Sequence, residues 1–153
     1  MKKITPNLWF DHNAKEAVDF YLSVFPGSKI ISTTYYPKST DEGLADFQKE
    51  FAGKVLTIDF ELCGNRFVAI NAGPLFKFNE SISFSVPCKD QQEIDSYWEQ
   101  LSSVMESEQC GWCKDKYGLS WQIVPENMEE LMKKPGAFSK LMQMHKIDIA
   151  GLK

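Results

Sequence analysis

Two cysteines have the spacing that thiol chemistry requires. Cys110 and Cys113 form a CxxC pair, with which thiol oxidoreductases attack and then resolve a mixed disulfide. Such a pair works at the N-terminus of a helix, where the helix dipole stabilises the first thiolate. The residues from 114 to 124 instead predict a strand, a turn and a second strand. We therefore expect ordinary reduced thiols at these positions and at Cys63 and Cys88.

Carboxylates and histidines are the next candidates for chemistry. Asp59 and Glu61 share one face of a predicted strand and could do acid and base work if they were buried together, although exposed charges are the commoner arrangement on a strand. Glu80, at the entrance to the second half of the chain, is the better single candidate for a base and remains a weak one. His12 and His145 fall in the cap of the first helix and in a C-terminal helix, where we expect surface histidines.

Alternation along two predicted strands puts uncharged polar side chains on one face. Along 81–86 the apolar residues at even positions, Ile82 among them, are expected to pack on helices, which leaves the serines on the opposite face. Along 119–124 the apolar residues occupy the odd positions, which leaves Ser120 and Gln122 on the face of the serines. These polar side chains could bond a small polar ligand between flat aromatic walls. The alternative is that this face is simply solvated. The predicted ligand-binding residues are Asn71, Ser81, Ser83, Gln122, Trp112 and Phe76.

The elements that must position these residues follow the order strand, helix and three strands, and this order occurs twice. The first set consists of a strand at 4–10, a helix that starts at an Asn13–Glu16 capping box, and strands at 29–36, 54–62 and 66–71, with a long mobile loop at 37–53. The second set consists of a strand at 81–86, a helix at 90–102, and strands near 104–108, at 111–115 and at 119–124. Two helical segments split by Pro135 follow, with methionines on their apolar positions.

The predicted fold class is therefore α+β, with two βαβββ modules that form curved mixed sheets around a cavity. We expect one domain over 1–153, with the first unit at 1–73, the second at 80–125 and a C-terminal helical extension at 126–153. A chain of 153 residues with 43% hydrophobic residues can bury a sizeable core without disulfides.

Charge and hydropathy limit the partners. The formal net charge is −4, and no run of basic and aromatic residues suits a phosphate backbone, so nucleic acid is not an expected partner. Nowhere do about 18 apolar residues run together, so no membrane partner is expected. Polar residues interrupt the start of the chain where a signal peptide would need its apolar run, which predicts a cytoplasmic location.

Three stretches carry a family resemblance that covers nearly the whole chain. They are ITPNLWFDHNAKEAVDFY, GPLFKFNESISFSV and CGWCKDKYGLSWQIVPE. Together with the two-unit order, they resemble the PhnB-like branch of the vicinal oxygen chelate superfamily, which includes glyoxalase I, bleomycin-resistance proteins and extradiol dioxygenases. The resemblance implies paired βαβββ modules and a homodimer.

The resemblance also implies where metal ligands would lie. Metal-using members place His or Glu on the first and last strand of each unit, and these positions correspond, within about a residue, to Pro6, Asn71, Ser81 and Gln122. Amide and hydroxyl oxygens alone bind Zn, Ni, Fe or Mn poorly, so we expect no metal. Relatives in this branch often carry the label 3-demethylubiquinone-9 3-methyltransferase, but residues 10–14 contain no glycine for a cofactor-binding turn, so no cofactor is expected.

These observations predict a metal-free protein that binds a small polar or aromatic molecule. One alternative is an enzyme of the same superfamily that acts on such a compound, of the glyoxalase or dioxygenase type or the labelled methyltransferase. Another is a sequestering protein of the drug-resistance type. Turnover would distinguish the enzyme from the binders.

Overall fold

The computed structural model describes residues 2–153. The chain forms two compact units that divide between Lys77 and Phe78. The class is α+β, and each unit has its own mixed sheet, of four strands in the first and three in the second. The predicted fold class is thereby confirmed. No helix within residues 2–153 is long and apolar enough to cross a membrane.

The first unit contains four strands and one long helix in the predicted order. The elements are β1 (Asn7–Phe10), α1 (Ala14–Val24), β2 (Lys29–Tyr35), β3 (Val55–Leu62) and β4 (Asn65–Asn71). The sheet has the order β1-β4-β3-β2, and β1 runs parallel to β4 while the other pairs are antiparallel. β3 and β4 therefore form a two-stranded antiparallel hairpin, as the alternation in both strands predicts.

α1 packs on β3 and β4. Its buried side chains recur at helical spacing and include Val18 and Tyr21. The strands supply Ile58 and Phe60, both fully buried. The helix ends at Val24, because the Pro-Gly pair that follows cannot continue it.

The predicted capping box at the start of α1 is wrong. The Asn13 side chain makes no capping hydrogen bond, and its Oδ1 is buried without a partner. Asn71 caps the helix instead, because its Oδ1 accepts a hydrogen bond from the Ala14 N–H at 3.2 Å. The Asn71 side chain, at the end of β4, thus bonds a free backbone N–H at the start of α1, which the Asn13 side chain was expected to bond.

The long segment between β2 and β3 has more structure than a mobile loop. It contains two 3-10 helices, Thr40–Glu42 and Asp46–Phe51. Leu44 and Phe51 are buried with Tyr36 in a small apolar cluster. Burial of these side chains stabilises the segment, although its composition is mostly polar.

The second unit contains three strands and four helices. The elements are β5 (Ser83–Cys88), α2 (Gln91–Leu101), β6 (Trp112–Lys114), β7 (Ser120–Pro125), α3 (Met128–Met132), α4 (Ala137–Leu141) and α5 (Ile149–Leu152). The sheet has the order β5-β7-β6, with β5 parallel and β6 antiparallel to β7. α2 starts at a true cap, because the Asp90 side chain accepts a hydrogen bond from the Glu93 N–H.

The strand predicted near 104–108 is wrong. Met105–Ser107 forms a 3-10 helix, and the Ser107 hydroxyl donates to the Val104 carbonyl at 2.7 Å. The Ser102 hydroxyl donates to the Glu108 carboxylate at 2.6 Å. Local side-chain bonds of this kind compete with the ladder of a sheet, so the apolar residues here did not produce a strand.

The C-terminal helices enclose a core of their own. Leu131, Leu141, Ile147 and Leu152 are buried together, and Met128, Met132 and Met144 pack against them. Three of the predicted core methionines therefore fill this core, as unbranched thioethers do. Met142 remains 48% exposed.

Candidate functional site

One face of the second sheet gathers polar side chains. Backbone register places Trp112 opposite Gln122 and Lys114 opposite Ser120, and it places Ser83 on the other side of Ser120. Paired residues on neighbouring strands point to the same face. On the opposite face Phe84 is partly exposed, and the buried side chains are Val86, Cys88, Cys113, Trp121 and Ile123. We call the face with Ser83, Ser85, Trp112, Lys114, Ser120 and Gln122 the polar face.

Ser83 and Gln122, two of the predicted ligand-binding residues, are in direct contact on the polar face. The Gln122 Nε2 atom donates a hydrogen bond to the Ser83 Oγ atom at 2.8 Å. Both residues are partly exposed. Since an amide carries two donors and an acceptor, and a hydroxyl can both donate and accept, this pair has hydrogen-bonding capacity beyond the bond it makes.

Trp112, a third predicted residue, lies beside this pair. It is half-buried on β6 and is the direct cross-strand neighbour of Gln122. An indole ring next to an amide offers a flat apolar wall beside a polar group, which is the usual composition of a small-molecule site. The structure thus brings three of the six predicted ligand-binding residues, Ser83, Gln122 and Trp112, onto one face.

A lysine that the sequence analysis missed carries the charge of the polar face. The Lys114 ammonium forms an ion pair with Glu80, and only 22% of the Lys114 side chain is exposed. The hydrogen bond from Lys114 is the main reason why the pKa of the Glu80 carboxyl lies below its usual value. A carboxylate with a lowered pKa is a weaker base, so the ion pair disfavours Glu80 as a general base at neutral pH.

Ser81 has a different environment from Ser83. It lies before the start of β5, and its backbone N–H and hydroxyl both contact the Asn79 Oδ1 atom, at 2.9 and 2.5 Å. Ile82, which the parity argument expected to pack on a helix, is 66% exposed. That expectation is wrong because strand alternation begins only at Ser83.

Asn71 belongs to the first unit and is used by the fold. It is only 6% exposed. Its Oδ1 caps α1, and its Nδ2 donates to the Val55 carbonyl at 3.0 Å. Since both ends of the amide hold backbone groups of the first unit, the structure gives Asn71 a positioning role, and ligand binding by this residue stays a prediction.

Phe76 lies against Trp9 in the first unit. The two rings meet edge to face with centroids 4.9 Å apart, and the Trp9 Nε1–H donates to the Gly73 carbonyl at 2.8 Å. Sequence reasoning missed Trp9. Leu8 and Phe10 on either side of it are buried, so the alternation of β1 turns Trp9 to the other face. Alternation along this short strand is the signal that could have identified it.

The remaining candidates are held in structural contacts. The Asp59 carboxylate accepts from the Arg66 Nε atom at 2.9 Å, so Asp59 and Glu61 do not form an isolated pair of acids. His12 bonds to Asp11 at 2.5 Å, which raises its pKa, and it stacks on Phe51 with centroids 4.7 Å apart.

The CxxC pair lacks the geometry of a redox site. Cys110 lies in a turn with a positive φ of 53°, and Cys113 lies on β6 with 1% exposure. Burial raises the pKa of the Cys113 thiol to about 12. All four cysteines are free, and neither residue of the pair lies at a helix N-terminus. The structure therefore agrees with the expectation of ordinary thiols.

We expect the four thiols to differ sharply in reactivity in the native protein. Burial raises the pKa of Cys88 and of Cys113 to about 12, so at pH 8 only about one such thiol in ten thousand is ionised. Cys63 is exposed and should alkylate first. Iodoacetamide labelling followed by peptide mass spectrometry measures the order. Labelling of Cys113 at the rate of Cys63 without denaturant would contradict this account.

Comparison with known proteins places the chain in a family. Residues 2–124 match the family model described as 3-demethylubiquinone-9 3-methyltransferase. The chain belongs to this family. Its PhnB-like branch lies within the vicinal oxygen chelate superfamily. No curated protein matches the chain.

Solved structures of the PhnB-like family and of the wider fold agree with this placement. The PhnB protein of Bacillus cereus is 31% identical, with 80% of this chain and 99% of that chain covered and a TM-score of 0.64. Protein PA1353 of Pseudomonas aeruginosa is 17% identical, with 82% and 98% covered and a TM-score of 0.60. The fosfomycin resistance protein FosX of Listeria monocytogenes is 14% identical, with 87% and 98% covered and a TM-score of 0.53. The last two likenesses show the fold alone.

The metal positions that the superfamily implies do not fit a metal in this PhnB-like chain. Asn71 is committed to backbone groups, Ser81 contacts Asn79, Gln122 contacts Ser83, and Pro6 has no donor atom in its side chain. Within residues 2–153, no three His, Cys, Asp or Glu side chains are grouped to hold a metal ion. Neutral amide and hydroxyl oxygens are poor ligands for the transition metals of the superfamily.

The methyl donor that the family description implies also lacks a recognisable cradle. The three connections from a strand to an α-helix are residues 11–13, 89–90 and 126–127, and none of them contains glycine. Nucleotide-type cofactors use a glycine-rich turn at such a connection, where the backbone must approach the ligand closely. The residues present do not fit that mode of binding.

Proposed function

We propose that this chain binds a small organic molecule on the polar face of its second unit, without a metal. The contact between Ser83 and Gln122 beside Trp112 carries the proposal. In it, the amide and the hydroxyl hydrogen-bond the ligand, and the indole ring packs on its flat part. Membership in the PhnB-like family supports the proposal only at the level of the superfamily.

The composition of the polar face favours recognition over simple solvation. A solvated face tends to carry several mobile charged side chains, whereas the centre of this face consists of Ser83, Ser120 and Gln122. Ser120 is 2% exposed and Gln122 is bonded in place. Fixed polar groups next to a partly exposed aromatic ring lose little conformational entropy when a ligand binds.

Catalysis remains the alternative. The one candidate base beside this face is Glu80, whose lowered pKa makes it a poor proton acceptor at neutral pH. A sequestering protein of the drug-resistance type needs the same face and no chemistry. Homodimer formation and a cytoplasmic location stay predictions from the sequence, and sedimentation velocity measures the first of them.

The experiment that tests the proposal is a fragment screen by saturation-transfer NMR. The panel contains benzamide, benzoate, phenol and pyridine, with purified wild type and two variants. Gln122→Leu and Trp112→Leu should each weaken binding of the fragments by about fivefold, because each removes a contact worth roughly 1 kcal/mol.

Gln100→Leu is the matched control for the amide. Gln100 is exposed on α2 and bonds within its own helix to Ser96, so its loss should leave fragment binding unchanged. Equal binding by wild type, Gln122→Leu and Trp112→Leu would contradict the proposal, as would a complete absence of binding to wild type at millimolar concentration.

A further inference from the structure

The charge on the polar face has an unusual placement. Lys114 is the cation of this face, and it is more enclosed than its counterion, since the Lys114 side chain is 22% exposed and that of Glu80 58%. Lys114 is fixed on β6. Glu80 lies before the start of β5, outside the sheet.

We propose that the ligand of this face carries an anionic oxygen, of the carboxylate class, on a planar ring, and that this oxygen replaces Glu80 as the counterion of Lys114. The inference rests on the proposed function and names the class of molecule that the site takes. The enclosed ammonium needs a negative partner at all times, because an unpaired charge that is partly removed from water is costly.

The neighbours of Lys114 suit the anionic end of such a molecule. Ser120 lies directly across from Lys114, and Ser83 is the next residue across the sheet. Ser120 is only 2% exposed, so the hydroxyl that a ligand can reach is that of the partly exposed Ser83. This hydroxyl can donate to an oxygen of a carboxylate. It stands on the same face as the Lys114 ammonium, so the anionic end has two donors.

Trp112 sets the distance to the planar part. It is two residues before Lys114 on the same strand, so the two side chains leave the sheet about 7 Å apart on the same face. That spacing fits one aromatic ring and its carboxylate, with the ring on the indole and the oxygens on the ammonium. Gln122, opposite Trp112, can then bond a substituent of the ring.

The test compares two probes of the same shape. Benzoate carries the charge and benzamide does not, so their ratio of dissociation constants isolates the ion pair. Wild type should bind benzoate about tenfold more tightly than benzamide. Lys114→Met should abolish that preference and leave benzamide binding intact, while Lys114→Arg should keep the preference. Lys116→Met, an exposed neighbour in the following turn, is the control and should behave as wild type.

Glu80→Gln gives the decisive comparison. It removes the competing counterion, so benzoate should bind several-fold more tightly while benzamide is unchanged. Weaker benzoate binding by this variant would overturn the inference, because Glu80 would then contact the ligand instead of competing with it. Equal binding of both probes to wild type would overturn the inference and leave the proposed function standing. Binding of neither probe would contradict the proposed function, and the inference with it.

Discussion

Asp115→Ala should cost about 4 kcal/mol of the free energy of unfolding, because it leaves three buried or partly buried donors without an acceptor. The Asp115 Oδ1 atom accepts from the backbone N–H groups of Tyr117 and Leu119 at 2.8 and 3.1 Å. Its Oδ2 atom accepts from the Trp121 Nε1–H at 2.9 Å. Asp115 is itself 1% exposed, so water cannot take over these bonds without opening the turn between β6 and β7.

Urea unfolding followed by circular dichroism measures the loss. Asp115→Asn keeps one acceptor and should lose about half as much, since its amide nitrogen would face a second donor. Asp46→Ala, at a side chain that is 85% exposed, should change stability by less than about 0.5 kcal/mol. A loss below about 1 kcal/mol for Asp115→Ala would show that the turn does not depend on this carboxylate.

Gly111→Ala should cost about 3 kcal/mol through strain and overlap together. Gly111 has a positive φ of 87°, and a Cβ atom added there would lie 2.7 Å from the Ile147 Cδ1 atom and 3.0 Å from the Ile123 carbonyl oxygen. Ile147 is fully buried, so its methyl group cannot easily move aside. The left-handed backbone costs about 1 kcal/mol for alanine, and overpacking adds roughly 2 kcal/mol.

Gly27→Ala separates these two contributions. Gly27 also has a positive φ, of 74°, but an added Cβ atom would meet nothing within 4 Å. Gly27→Ala should therefore lower the free energy of unfolding by about 1 kcal/mol, which is the backbone strain alone. Thermal and urea unfolding of the two variants side by side measure the difference. Equal losses of stability in the two variants would contradict this account, because they would show that an added Cβ atom at Gly111 does not overlap Ile147.

Local patterns were sufficient to predict most elements of the fold. The alternation along β3 and β4 and the helical spacing along α1 gave those elements nearly to the residue. The incorrect predictions arose where a side chain distant in sequence made the hydrogen bond that a local residue was expected to make. Asn13 fits the local rule for a cap, but Asn71 supplies the bond to Ala14, and no local rule contains a contact between residues so far apart in sequence.

The candidate site was predicted only in part for a similar reason. Parity placed Ser83 and Gln122 on one face because alternation depends only on each strand. Trp112 joins them through the register of β6 with β7, which parity within one strand does not give. The pairing of Lys114 with Glu80 depends on where a strand meets a connection, which composition does not reveal. The start of β5 at Ser83 likewise decides that Ser81 and Ile82 fall outside the alternating set.

The most direct test of ligand binding on the polar face is a chemical-shift titration of the ¹⁵N-labelled protein. Benzoate is added, and the resonances followed are the indole N–H of Trp112 and the side-chain amide of Gln122. We predict the largest shifts at these two groups, with little change at the indole of Trp98, which lies on α2. Largest shifts at Trp98, with Trp112 and Gln122 unmoved, would contradict the account.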